Sequence, residues 1–169
     1  MFPRETDLQV TREAIRLAEK LLDAQLAIIG ALAQRAGALA GVFGAGATAL
    51  LAAEVLVLNA LHETLSLRTY AGALVAPAIM FAACTLCGMA AGTSTFQPAG
   101  NLPEAWKGNA TLEDLNEALK GELENYQKYL TDNDDTLKAH ARYLRWGLLV
   151  GFSSPVTLAL IGAVYFYLR

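Results

Sequence analysis

Charge is scarce in this chain: 17% of its 169 residues are Asp, Glu, Lys or Arg, while 54% are apolar. No segment is strongly basic and the net charge is −3, so the electrostatic footprint of a nucleic-acid binder is missing. Only two cysteines occur, Cys84 and Cys87, both inside one apolar run, which excludes a disulfide framework. Their C-x-x-C spacing has no second pair and no neighbouring His. Thiols in such a run stay protonated and pack as small apolar groups. The two histidines, His62 and His140, are equally isolated and read as exposed. These groups and Glu54 do not converge in sequence, so the chain reads as non-enzymatic, with no catalytic residues, metal ligands or cofactor. The start, Met1-Phe2-Pro3-Arg4-Glu5, lacks the basic opening and prompt apolar run of a secretory signal. Membrane insertion must then rest on internal segments.

What the chain does have is length without charge. Ala36–Ala53 is uncharged, and apolar character continues past Glu54, giving a first transmembrane helix over 36–60. A second covers 69–92, with Pro77 expected to kink it. A third covers 146–168, where Trp146–Leu168 carries no charge and Pro155 is expected to bend it. The polar connection His62–Arg68 is short enough to make the first two an antiparallel hairpin. Residues 21–34 are too short, and hold Asp23, to count as a fourth span.

Two amphipathic helices flank these spans. Residues 1–35 carry five charges of each sign. Leu8, Ile15, Leu22 and Ile29, with Val10, Leu17, Leu21 and Ile28 beside them, form one broad apolar face. Residues 111–145 carry Leu112, Leu115, Leu119, Leu123, Tyr126, Leu130, Leu137, Ala141 and Leu144 as a second stripe. Thr111-Leu112-Glu113-Asp114 has capping-box form and competes with a glycosylation reading of Asn109-Ala110-Thr111. Asp132–Asp135 interrupts the stripe as a solvated acidic patch or a local helix break. The stripe of 8–32 is expected to meet that of 112–144 in an antiparallel or splayed layer. Between second span and second stripe lies a turn-rich loop, 93–110, with Phe96 and Trp106 as interfacial anchors or partner contacts.

The fold class that follows is all-α: an integral membrane helical protein with three transmembrane helices and two cytoplasmic amphipathic extensions. Arg35, Lys138, Arg142 and Arg145 cluster at span ends on one side, which places the N-terminus inside. The abundance of Ala, Leu and Gly points to a bacterial inner membrane. Each span carries a G-x-x-x-G: Gly37 and Gly41, Gly88 and Gly92, Gly147 and Gly151. Paired glycines of this spacing let helices approach closely and associate. Glu54 reads as an interfacial carboxylate or as a polar site facing a bundle or pore.

Gln34-Arg35-Ala36-Gly37 entering the first span, and Asn133 through Leu144 entering the third, frame a hairpin, an insertion and a helix that runs into a last span. This layout resembles the small membrane effectors of bacterial anti-phage signalling, the Pycsar TM and SLATT type. The resemblance implies a homo-oligomer that permeabilises the inner membrane when triggered. A structural or accessory subunit docked on a larger membrane complex uses the same features. In both cases the partners are the lipid bilayer and protein, not nucleic acid.

Overall fold

The computed structural model describes residues 5–60, Gly72, 74–92, 96–100 and 112–167, without the side chains of 5–7, 58–60, 112–114 and 165–166. The connection 62–68, Trp106, the 109–111 sequon, the cap at Thr111 and Arg169 lie outside the described residues. Among the described residues the structure is helical, with no strand. Helix α1 spans Glu5–Ala60, α2 spans Val75–Ala91 and α3 spans Leu112–Tyr167. Both long helices are continuous through the change from charged to uncharged sequence. No Pro or turn cluster lies at either change, so nothing stops the i to i−4 ladder there.

Two helices, α1 and α3, are long and apolar enough to cross a membrane. The most apolar 18-residue stretch of α1 has a mean hydropathy of 1.8 and that of α3 1.9, with only 11% and 17% of each buried in the chain. Helix α2, with 17 residues, is at the short limit for a bilayer core.

The chain divides into two units, one made of Met1–Ala31 and Thr93–Lys138, the other of Leu32–Gly92 and Ala139–Arg169. In the first, α1 meets α3 around Ala18, Leu22 and Tyr126, with Ile15, Tyr129, Leu130 and Ala99 packed against them. Glu19 reaches Tyr126 and Gln25 reaches Leu130, so the two helices run parallel here, in place of the antiparallel or splayed layer expected. The broad apolar face of α1 also splits. Leu8 and Leu22 are buried, whereas Val10, Leu17, Leu21 and Ile28 are exposed. Asp132–Asp135 neither breaks the helix nor forms a uniform patch, because Asn133 between them is buried.

In the second unit three helices pack in an up-down-up order. Gly37 lies nearest Ala91, Gly44 nearest Cys84 and Gly46 nearest Met80, so α1 and α2 are antiparallel. Gly72 lies by Ile161 and Gly147 by Cys87, so this middle segment is antiparallel to α3 as well. The core is Phe43, Ala83 and Cys87, with Leu39, Ala40, Met80, Leu144 and Val150 around it. Ala76, Ala83, Cys87 and Ala90 are all fully buried, at intervals of seven, four and three, and their small size lets α2 sit close to its neighbours. Pro77 falls in the first turn, where a missing N–H breaks no intrahelical bond, and the ladder starts with Ala78 N–H donating to the Leu74 carbonyl at 3.2 Å. Pro155 lies within α3, which remains helical to Tyr167.

Candidate functional site

Two sites of close contact are built on these helices, one in each unit. In the first unit, the segment Phe96–Gly100 is tied to both long helices by side chains. Asn133, 1% exposed, pairs with both backbone polar groups of one residue: Gln97 N–H donates to its Oδ1 and its Nδ2 donates to the Gln97 carbonyl, each at 3.1 Å. Tyr126 is as deeply buried; its hydroxyl donates to Glu19 Oε1 at 3.2 Å and accepts from Gly100 N–H at 3.1 Å. Gly100 has φ +101°, a conformation that side-chain-bearing residues rarely adopt. Ala99 packs on the Ala18, Leu22 and Tyr126 cluster. Burial pushes the Tyr126 hydroxyl up to about 12, assisted by the Glu122 and Glu19 carboxylates, which oppose a phenolate. It is therefore held as a neutral donor throughout the physiological range. Gln25 adds a further tie, its Nε2 donating to the Leu130 carbonyl at 3.1 Å.

The second unit is held by close approach instead. A Cβ at Gly147 would lie 2.6 Å from Cys87 Sγ, 3.2 Å from Cys87 N and 3.3 Å from the Ala83 carbonyl oxygen. A Cβ at Gly151 would overlap the Phe43 ring, which also meets Phe152 edge to face at 6.2 Å. His140 Nδ1 donates to the Ala90 carbonyl at 2.9 Å, satisfying one of the acceptors left over at the end of α2. His140 is half-buried, not exposed, because of this contact. Hydroxyls on the apolar segments fold back on their own helices: Thr48 to Gly44, Thr85 to Phe81, Ser153 to Val150 and Thr157 to Ser153. Such bonds remove a polar group without an external partner.

The remaining residues singled out in the sequence fall apart from these contacts. Gly41 and Gly88 have nothing within 4 Å of a built Cβ, and Gly37 only Ala91 at 4.0 Å. Gly92 meets backbone oxygens of its own helix end. Glu54 is half-buried on α1, with Oε2 enclosed and unpartnered. Phe96 is half-buried at the start of the tied segment. Arg35, Arg142 and Arg145 are exposed. Lys138 pairs with Asp134 at 2.5 Å and Asp135 at 3.8 Å, which holds its ammonium above the ordinary lysine range. Among the described residues no three His, Cys, Asp or Glu side chains gather as a metal site. The ties through Tyr126, Asn133 and Gln97 carry no sequence motif; the one signal is that Asn133 falls three residues after Leu130 and four before Leu137, on the inward stripe.

Comparison with known protein families, curated protein sequences and solved structures finds no match to this chain.

Proposed function

We propose that the chain is a non-enzymatic integral membrane protein that crosses the bilayer three times, assembles with copies of itself and permeabilises the membrane. The observation that carries the reading is the bareness of its apolar helices. Val42, Phe152 and Leu160 stand exposed on stretches that hold no charge over many turns. A contiguous apolar surface of this extent belongs in lipid or against another helix. The up-down-up order of the second unit fits three crossings. The exposed Arg35, Arg142 and Arg145 then mark the cytoplasmic side of a bacterial inner membrane, with the N-terminus inside.

Self-association is supported by the open sides of Gly41 and Gly88, small residues at which a second helix meets no side chain. Glu54, half-buried near the end of the apolar run, is the polar group best placed to face water inside such an assembly. The layout shared with the Pycsar TM and SLATT effectors points the same way.

The test is the mass of the detergent-solubilised particle, combined with membrane potential in cells that overexpress the protein. Multiples of the 18.0 kDa chain with depolarisation support the proposal. A stoichiometric foreign subunit without depolarisation replaces it with the accessory-subunit reading. A monomer that leaves the potential intact removes both.

A further inference from the structure

The first unit of α1 carries two apolar seams, and only one of them is used. Leu8, Ala18 and Leu22 are buried, and Ile15, Gln25 and Ile29 are half-buried on the same side. The other seam is Val10, Ala14, Leu17, Leu21, Ala24, Ile28 and Ala31, at alternating steps of four and three. Its large members are bare in the single chain: Val10 is 69% exposed, Leu17 51%, Leu21 57% and Ile28 53%. A stripe that alternates four and three keeps a 3.5-residue period, which is what two helices winding round one another require. It runs for about three heptads, the length at which such a pattern becomes a coiled-coil signal.

We propose that this seam is the contact surface for the α1 helix of a second copy of the chain, paired in parallel and in register. The inference rests on the self-association reading above and names the surface that performs it. Copies inserted in one membrane with one orientation present their α1 helices in the same direction, and confinement to the bilayer raises their effective concentration. The charges flanking the seam are Glu13 and Lys20, one of each sign, so the flanks of a second copy bring no net repulsion. The same balance disfavours the bilayer surface as occupant, since helices lying on anionic lipid carry an excess of Lys and Arg. Arg35 continues the count at the next core position. A charged residue at one core position fixes register at a cost in stability.

Oxidative cross-linking of the full-length protein in native membranes tests this surface. Leu17→Cys and Leu21→Cys should each give a disulfide dimer, while Arg12→Cys, on the opposite side of α1, should not. The double variant Leu17→Glu, Leu21→Glu should lower the particle mass with helix content unchanged, and Arg35→Leu should make the particle more resistant to dissociation. Equal cross-linking from Arg12→Cys overturns the inference, as does capture of a different polypeptide by Leu21→Cys or protection of that thiol by lipid. If the unsubstituted protein is a monomer, the self-association reading itself falls. If it is a multimer that the double Glu variant leaves intact, only this surface falls.

Discussion

Helix α3 is joined to its neighbours in two different ways. In the first unit, α1 and α3 meet through large side chains and polar ties: Tyr126 on Leu22, Tyr126 on Glu19 and Gln25 on the Leu130 carbonyl. In the second, α3 meets both α2 and α1 through an absence of side chain, with Gly147 against Cys87 and Gly151 against Phe43. The difference follows from the surroundings each stretch of sequence suits. Next to water, burying Leu and Tyr is itself favourable, and amide ties fix which face goes in. Among apolar neighbours, burial gains little over lipid, so contact has to come from close packing.

That contrast is open to direct attack. Gly147→Leu should cause the largest loss, about 3 kcal/mol, because the added side chain meets the backbone of α2, which cannot swing aside. Unfolding of purified protein in mixed micelles reads this. An equally tolerant response to Gly147→Leu and Gly41→Leu would erase the distinction between a closed and an open glycine.

Raising the pH should weaken the first unit through Tyr126. The Tyr126 hydroxyl is pushed up to about 12 from an ordinary value near 10. The folded form thus holds this proton more tightly than the unfolded form. Its contribution is complete below pH 10 and is lost as the pH rises towards 12, by roughly 2–3 kcal/mol. Tyr126→Phe should flatten the pH dependence in that window, measured by amide exchange in residues 8–31.

Asn133→Ala should cost about 2 kcal/mol, since it strands both the N–H and the carbonyl of Gln97. Proteolysis at 96–100 is the readout, and an unchanged cleavage rate would show that Asn133 does not hold the segment. The smallest effect belongs to Glu13→Ala. The carboxylate is kept below its usual range by Arg16, but both side chains stand in solvent, and melting should not change measurably.

The helices themselves were legible in residue order. Uncharged runs at 36–53 and 146–168 mark stretches long enough to cross a bilayer, and the three-and-four spacing of Leu and Tyr marks the amphipathic parts. The polar interior was not legible. Asn133 and His140 occupy inward positions, yet a polar side chain in a helix ordinarily marks the outside, and only its specific partner reverses that reading. The helix start at Val75, two residues before Pro77, leaves no cap signature: Leu74 has no side-chain cap bond. The parallel course of α1 and α3 in the first unit needs a tertiary fact, since an apolar stripe has no direction of its own. The two seams on α1 share one amphipathic signal and separate only once Tyr126 has been placed against Leu22.

Cys87 fills the space that Gly147 leaves and is fully enclosed, while Cys84, one turn away on the same helix, is half-exposed. An alkylating reagent that enters membranes can therefore reach the first sulfur only in molecules whose α2 and α3 have moved apart, and the second at any time. The ratio of the two labelling rates is a clock for helix separation, written into the chain without any substitution.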